Sequence, residues 1–292
     1  SQELITDFIR SLTPEAPAEA PRIVVEAEAF LPPPAPAHPW LPYYPEGLDW
    51  AEPIQDKCVH SLMDDSARLF ADRPCLNFLG KGSTYAQVGA LVDKAAKGFQ
   101  ELGVGKGTRV GLCLPNTPYY VICYYAILKA GGTVVNYNPL YAERELIHQV
   151  GESGTSIMVT LDLRQIFPKV ARLLEKTGLQ RVIVCSMSAI LPTVKGLLFS
   201  VLRRSEIASI PDDSRLTTFD ELTANGGDVE PVDIDPGQDI AVLQFTGGTT
   251  GTPKAAMLTH ANVSANAEQV RPWYPAMDQG RERILAALPL FH

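Results

Sequence analysis

The chain has 292 residues, enough to bury a large core and form two subdomains, and its 46% hydrophobic and 20% charged residues are typical of a globular protein. A net charge of -8 without a basic stripe argues against a nucleic-acid partner, although a local loop can still bind ATP. The five cysteines form no Cys-x-x-Cys pair, so we expect buried thiols and no metal site. No signal sequence and no apolar run of roughly 18 residues is present. We therefore expect a cytoplasmic location, at most on the inner face of a membrane.

Residues 1–50 are predicted to form a partly flexible lead. The stretch from Pro14 to Pro45 is dense in proline and alanine, which favour extended polyproline conformations and cannot bury a core. The aromatic residues near its end are candidates to attach it to the domain that follows: Trp40, Tyr43, Tyr44 and Trp50. No function is predicted for residues 1–39.

From about residue 55 onward, segments with helical spacing of apolar residues alternate with short apolar runs. Helices are predicted at 56–71, 85–102, 118–130, 142–152 and 163–176, and strands at 75–79, 108–114, 133–136, 156–161 and 181–185. Thr117 is a candidate N-cap before Pro118, and Gly103 is a candidate helix stop. This alternation predicts an α/β fold with largely parallel sheets that helices cover on both faces.

The segment from Ala189 to Arg204 combines many apolar residues with Lys195, Arg203 and Arg204. A basic-flanked amphipathic segment can lie in a membrane interface, which would make this a peripheral membrane contact. The alternative is a core helix with a solvated basic end, which is the more common use of such a pattern.

A loop is predicted from about Ala208 to Asp239, because this stretch is rich in Asp, Pro and Gly. It is predicted to separate a first α/β subdomain, residues 51–235, from the start of a second, residues 236–292. The second is predicted to contain a buried strand at 240–245, strands near 255–258 and 283–288, and a helix from about His260 with Thr259 as N-cap. We expect His260 to pack at the helix start rather than to contact a ligand.

The most informative segment is the loop from Thr246 to Lys254, which follows the apolar run 240–245. Its nine residues include three glycines, four threonines and a lysine. Glycines allow successive N–H groups to converge on an anion, and the hydroxyls and the ammonium group add further donors. The order of the residues does not fit the P-loop pattern, because Pro253 precedes the lysine and Ala255 follows it. The alternative is a hairpin loop that binds no ligand, but this composition favours a phosphate site.

Several segments resemble the motifs of the acyl-adenylate-forming (AMP-binding) enzymes, and most of all those of bacterial long-chain fatty acid–CoA ligases. The phosphate loop and the residues after it match up to Asn262, although the family commonly has Gly where this chain has Ala255. Three further segments resemble family motifs: residues 112–120, 127–141 and 288–292. The resemblance runs from about Pro53 to the last residue and implies the N-terminal domain of that fold, truncated before its end.

The resemblance implies two displacements, with ATP, a fatty acid and coenzyme A as reactants. A fatty carboxylate attacks the α-phosphorus of ATP and expels pyrophosphate, and the thiol of coenzyme A then attacks the acyl adenylate and expels AMP. The residues expected to bind the β- and γ-phosphates are Thr246, Gly247, Gly248, Thr249, Thr250, Gly251 and Lys254. Among them, Lys254 is expected to be catalytic because it supplies positive charge.

His292 is the second candidate catalytic residue, since the family motif at this position borders the fatty-acid carboxylate and the path of the thiol. Mg²⁺ is an expected cofactor, with its acidic ligand outside residues 1–292, and a homodimer is possible. Because the later family motifs are absent, we expect this chain to be an N-terminal portion that is inactive alone. Tyr119, Tyr120, Tyr124 and Tyr125 share a predicted helix and are interpreted as packing residues.

Two alternative functions remain open at this stage. One is adenylation of another carboxylate, such as an aryl acid or an amino acid, because the sequence does not define an acyl pocket. The other is a noncatalytic module in which the loop only binds a nucleotide or another anion.

Overall fold

The computed structural model describes residues 38–49, 51–246, 254–274 and 277–292. The chain divides into two compact units, residues 1–50 and residues 51–292. The described part of the first unit contains a 3-10 turn, Leu41–Tyr43, and a contact between the rings of His38 and Trp40 at 5.4 Å. Residues 1–37 and residue 50 of the predicted lead lie outside the described residues.

The second unit contains a two-stranded hairpin and a seven-stranded sheet in the described residues. The strands are β1 (Pro74–Phe78), β2 (Lys81–Thr84), β3 (Arg109–Cys113), β4 (Thr133–Asn136), β5 (Ile157–Leu161), β6 (Arg181–Cys185), β7 (Leu216–Thr218), β8 (Ile240–Phe245) and β9 (Ala255–Thr259). The hairpin joins β1 and β2, and the sheet has the order β7-β6-β5-β3-β4-β8-β9. All neighbouring strands of the sheet are parallel except β8 and β9. The predicted α/β class with a largely parallel sheet is confirmed.

The helices of this unit alternate with the strands, as predicted. They are α1 (Val59–Leu69), α2 (Tyr85–Glu101), α3 (Pro118–Lys129), α4 (Glu143–Ser153), α5 (Phe167–Lys176), α6 (Thr193–Leu202), α7 (Phe219–Leu222) and α8 (His260–Val270). No helix of the described residues is both long and apolar enough to cross a bilayer.

The central strands of the sheet are mainly apolar and buried, because helices cover the sheet on both faces. Alternate residues of β5 show this: Ile157, Val159 and Leu161 belong to the buried cluster that includes residues of α1, α2 and α3, whereas Met158 belongs to the cluster that includes residues of α4 and α5. The core therefore lies in two layers, one on each side of the sheet.

Local signals at the helix ends act largely as the sequence predicts. Gly103 has a φ of 85° after α2, a conformation that glycine adopts without a side-chain clash. Thr259 caps α8 by accepting a hydrogen bond from the backbone N–H of Asn262. Thr117 lies at the N-cap position of α3, but its side chain makes no capping bond, and its buried hydroxyl has no hydrogen-bond partner among the described residues.

Two predictions about the second half of the chain need correction. The strand predicted at 283–288 is wrong, because these residues pair with no strand of the described chain, and Ile284 is 89% exposed.

The loop predicted at 208–239 contains β7 and α7. Because β8 pairs with β4, the described part of residues 236–292 shares the sheet with the preceding strands. The division into subdomains 51–235 and 236–292 stays a prediction.

Candidate active site

Three parallel strands end at the same edge of the sheet and bring the predicted site together. β4 lies between β3 and β8, and Asn136 at the end of β4 is the register partner of Gln244 near the end of β8. Asn116 follows the end of β3, and Thr246 follows the end of β8. In open α/β sheets, ligands bind in the crevice outside the carboxyl ends of the strands. This edge is therefore where a binding site is expected.

The two ends of the predicted phosphate loop lie side by side at this edge. β9 runs antiparallel to β8, and Phe245 pairs with Ala255, so the chain returns to the place it left. The backbone N–H of Thr246 donates to the carbonyl oxygen of Lys254 at 3.0 Å, and the hydroxyl of Thr246 donates to the same oxygen at 3.3 Å. These bonds close the base of the loop.

The side chain of Lys254 remains exposed at the loop base, and in the described parts of the chain no ion pair involves it. Its charge is thus available to an anion there. The other predicted phosphate-binding residues lie outside the described residues: Gly247, Gly248, Thr249, Thr250 and Gly251.

A chain of side-chain hydrogen bonds crosses the edge of the sheet beside the loop. The amide nitrogen of Asn136 donates to Oε1 of Gln244 at 2.8 Å, and Nε2 of Gln244 donates to the carbonyl oxygen of Phe291 at 3.0 Å. The hydroxyl of Tyr120 is within hydrogen-bond distance of Oδ1 of Asn136 (2.8 Å) and of the carbonyl oxygen of Leu290 (2.6 Å). Because the hydroxyl has one proton, it donates to one of these acceptors at a time.

Asn116 holds the same C-terminal segment from the end of β3. Its Nδ2 donates to the carbonyl oxygens of Ala286 (2.9 Å) and Leu288 (2.8 Å), while its Oδ1 accepts from the backbone N–H of Leu290 at 2.8 Å. The side chain of Asn116 thus binds the carbonyl oxygens of Ala286 and Leu288, which would have accepted hydrogen bonds from a neighbouring strand if 283–288 were a strand. Together, the asparagines, Gln244 and Tyr120 fix the segment that leads to His292.

These four polar residues were not identified as site residues from the sequence. A signal was present, because Asn136 and Gln244 are polar residues within otherwise apolar strands that end at the same edge. Tyr120 was interpreted only as a packing residue. It is buried as expected, but its hydroxyl also belongs to the hydrogen-bond chain.

An open cavity of about 600 Å³ adjoins the hydrogen-bond chain. Most of its lining is aliphatic or aromatic, and its polar groups are hydroxyls, amides and one imidazole; the lining residues are Tyr120, Val121, Tyr124, Tyr125, Asn136, Val242, Gln244, Leu258, Asn262, Val263, Asn266, Leu290 and His292. Burial raises the pKa of the Tyr120 and Tyr124 phenols, so both stay neutral at physiological pH. The tyrosines of α3 pack as predicted, and three of them also line this cavity.

His292, the second predicted catalytic residue, lies at the margin of the cavity. Its ring centroid is 5.3 Å from that of Phe291, which is buried in the core. Its backbone N–H donates to the carbonyl oxygen of Pro289 at 3.3 Å. This edge of the sheet thus carries an exposed lysine at the base of the loop and an apolar, charge-poor cavity that Gln244 helps to line.

His260 is separate from this site, and its predicted packing role is confirmed. It is 2% exposed, and its Nδ1 accepts a hydrogen bond from the backbone N–H of Val59 at 3.1 Å. Burial, and secondarily the charge of His60, lower the pKa of His260 to about 4. The imidazole is therefore neutral and serves to join α8 to the start of α1.

Comparison with known proteins gives consistent results. A family model described as AMP-binding enzyme matches residues 63–292. The long-chain-fatty-acid–CoA ligase of Bacillus subtilis is 37% identical over 257 residues, covering 87% of this chain and 46% of that protein. The protein of the same name from Escherichia coli O157:H7 is 35% identical over 263 residues, with the same coverage.

A solved structure extends the similarity to three dimensions. The crystal structure of a long-chain-fatty-acid–CoA ligase from Archaeoglobus fulgidus matches with a TM-score of 0.66 and 26% identity, over 85% of this chain and 45% of that one. The chain thus spans about half the length of the curated relatives it matches. With the family model covering residues 63–292, these matches show that the chain belongs to the family of AMP-binding enzymes.

Proposed function

We propose that the protein activates long-chain fatty acids with ATP through an acyl adenylate and transfers the acyl group to coenzyme A. The observation that carries this proposal is the shared position of the loop base and the apolar cavity, since Gln244 lines the cavity and Thr246 begins the loop. An anion-binding loop beside an apolar cavity suits a reaction between a nucleotide phosphate and a carboxylate with an apolar tail. The relatives named long-chain-fatty-acid–CoA ligases support the same substrates.

The first step joins the fatty carboxylate to the α-phosphorus of ATP and breaks the bond to pyrophosphate. The carboxylate oxygen is a poor leaving group in the free acid, and adenylation makes it part of a mixed anhydride. In the second step, the thiolate of coenzyme A attacks the acyl carbonyl, and AMP leaves with the electrons of the broken C–O bond. Both displacements depend mainly on positioning and on stabilisation of developing charge.

We assign the stabilisation of the leaving pyrophosphate to the loop. Backbone N–H groups of Gly247, Gly248 and Gly251 and the hydroxyls of Thr246, Thr249 and Thr250 would donate to the β- and γ-phosphates. Lys254, exposed at the loop base, would supply a full positive charge. We assign His292 to the boundary between the fatty carboxylate and the thiol, because it lies at the cavity margin.

We further propose Mg²⁺ as the counter-ion of ATP. Within the described ranges there is no group of three or more His, Cys, Asp and Glu residues that could hold a metal ion. A cytoplasmic site of action, at the inner face of the membrane, agrees with five free thiols, since a reducing compartment maintains them. The homodimer stays a prediction.

Substitution of Lys254 tests the proposal in the intact enzyme. Lys254→Ala should slow adenylation by about a hundred- to a thousandfold, the usual effect of losing one preorganised donor to developing charge. ATP–pyrophosphate exchange with a long-chain fatty acid measures this step before coenzyme A takes part. Lys94→Ala, which removes another exposed lysine on α2, is the matched control and should exchange at the wild-type rate.

The substrate range separates this proposal from its alternatives. Exchange should depend on fatty acids with long apolar tails and should be weak with aryl acids or amino acids. Preference for an aryl or amino acid would overturn the substrate assignment but not the chemistry. An exchange rate of Lys254→Ala within threefold of wild type would refute the role of the loop, and ATP binding without exchange would indicate a noncatalytic module.

A further inference from the structure

The tyrosines, asparagine and glutamine that line the cavity beside the loop fall into two groups. Tyr120, Asn136 and Gln244 form the hydrogen-bond chain to the C-terminal segment, so the fold itself uses their polar atoms. Tyr124 and Tyr125 also line the cavity, but neither makes a hydrogen bond within the described parts of the chain. Tyrosine hydroxyls that are largely removed from water normally have a partner. Two hydroxyls are thus available to a ligand of the cavity.

Tyr124 is held in place by aromatic rings on both sides. Its ring is stacked with that of Tyr120, with centroids 6.1 Å apart and 17° between the planes, and it meets the ring of Tyr125 edge-on at 5.6 Å. Tyr125 is closer to Cys75 and Tyr85, which contribute with burial to the raised pKa of its phenol. Ring packing therefore fixes Tyr124 without a bond at its hydroxyl, and a preorganised group lowers the entropic cost of binding.

Tyr124 lies deeper in the cavity than the hydrogen-bond chain at the edge of the sheet. Because β4 is parallel to β3, α3 must run from the carboxyl end of β3 back to the opposite edge. Tyr124 follows Tyr120 by four residues, or about 6 Å along the helix axis. Val242, whose register partner is Leu258, precedes Gln244 by two residues, or about 7 Å along β8. Both also line the cavity, so its walls at this depth are mainly aliphatic.

The lining defines the kind of group that the Tyr124 hydroxyl fits. Burial raises the pKa of this phenol, so it stays protonated and can both donate and accept a hydrogen bond. The lining residues that the structure describes include no Lys, Arg, Asp or Glu, so a charged group at this depth would stay unpaired at a high cost. A neutral hydroxyl group, which also donates and accepts, is the matching partner.

We infer that the protein acts on long-chain fatty acids that carry a hydroxyl group within the chain, and that Tyr124 binds this hydroxyl. The inference rests on the proposed function and names a narrower substrate class for the same cavity. The carboxylate would lie towards His292, and the chain would extend past Val242 and Leu258 to Tyr124. A site that offers a hydrogen bond to a substrate hydroxyl discriminates against the analogue without one, whereas aliphatic walls alone discriminate weakly.

Comparison of substrates in the intact enzyme tests the inference. ATP–pyrophosphate exchange is measured with stearic acid and with stearic acids hydroxylated at the third, the tenth or the twelfth carbon. The wild type should have a higher kcat/KM for at least one hydroxylated acid than for stearic acid. Tyr124→Phe keeps the ring and removes the hydroxyl, so it should lower the ratio of these two kcat/KM values by about fivefold, as expected for one net hydrogen bond.

Tyr119→Phe is the matched control, because Tyr119 lies on the same helix but its hydroxyl donates to the carbonyl oxygen of Ser186 at 3.2 Å, outside the cavity lining. It should leave the ratio unchanged. Calorimetric binding of the same acids without ATP should show the same preference. Loss of exchange with every acid would contradict the proposed function, whereas the binding preference tests the inference by itself. Circular dichroism checks folding, and the wild-type preference serves as the test if Tyr124→Phe does not fold.

Three results would overturn the inference. The first is wild-type binding and exchange that differ by less than about twofold among the four acids, since one net hydrogen bond should exceed this. The second is an equal change of the ratio in Tyr119→Phe and Tyr124→Phe. The third is a raised KM for coenzyme A in Tyr124→Phe with an unchanged ratio, which would assign the hydroxyl to the amide-bearing arm of coenzyme A instead.

Discussion

Gln244 offers a direct test of how the segment before His292 is held. Gln244→Leu keeps the approximate size of the side chain but removes its two short hydrogen bonds, the one accepted from Asn136 and the one donated to Phe291, together with a long one of 3.5 Å to the carbonyl oxygen of Phe245. A buried or half-buried hydrogen bond contributes about 1 kcal/mol net, so the loss should be about 2 kcal/mol. If the loss acts locally, opening of the segment should become about thirtyfold more frequent.

Hydrogen exchange of the backbone amides of Leu290 and His292 measures this opening. Both amides are hydrogen-bonded in the wild type, to Oδ1 of Asn116 and to the carbonyl oxygen of Pro289. Gln244→Glu should give an intermediate effect, because a carboxylate still accepts from Asn136 but cannot donate to Phe291.

Gln100→Leu is a matched control, since Gln100 also makes two hydrogen bonds, both to the backbone of Glu230. It should accelerate exchange near Glu230 and leave Leu290 and His292 unchanged. The reasoning would be refuted if Gln244→Leu changed exchange at Leu290 and His292 by less than twofold. It would also be refuted if Gln100→Leu accelerated them equally, because the effect would then be global.

Two further predictions concern stability. Because burial holds the pKa of His260 at about 4, below its unfolded value, its contribution to stability is present above the unfolded pKa of about 6.5 and is lost as the pH falls towards 4. The melting temperature of the wild type should therefore fall over this pH range more steeply than that of His260→Gln. Equal slopes for the two proteins would contradict the prediction. Burial also lowers the pKa of His60, which adds to the pH dependence in the same direction. Gly98→Ala should destabilise the protein by about 1–3 kcal/mol in urea unfolding, because its Cβ would lie 2.0 Å from the carbonyl oxygen of Leu222. Gly105→Ala, with no atom within 4 Å of the added Cβ, should have little effect, and similar losses for the two variants would show that the close approach to Leu222 is unimportant.

The secondary structure was largely predictable because burial on both faces leaves short, continuous apolar runs between helical patterns. The strands Thr133–Asn136 and Arg181–Cys185 have the predicted bounds. The segment 283–288 has a similar composition, but its backbone groups bind Asn116 instead of a neighbouring strand. Apolar composition indicates that a segment can pair, whereas pairing itself depends on a partner that the local sequence does not show.

The candidate site was predictable only in part, for a related reason. The loop is a contiguous run of unusual composition, so its residues could be identified from the sequence. The hydrogen bonds of Asn116 and Tyr120 to the C-terminal segment join residues more than 160 positions apart, which no local pattern indicates. Similarly, the periodicity of α6 shows that one face is apolar but not whether this face points inward or outward.

The antiparallel direction of β9 has a consequence for how phosphate would be attracted. In most phosphate loops of α/β proteins, a helix begins at the loop, and its N-terminus adds a favourable dipole. Here β9 carries the chain away, and α8 begins at the far end of the sheet, where the backbone N–H of His260 donates to Asp239, the residue before β8. Among the described residues, no helix N-terminus adds its dipole at the base of the loop, so the charge of Lys254 should weigh more here than in a loop supported by a helix.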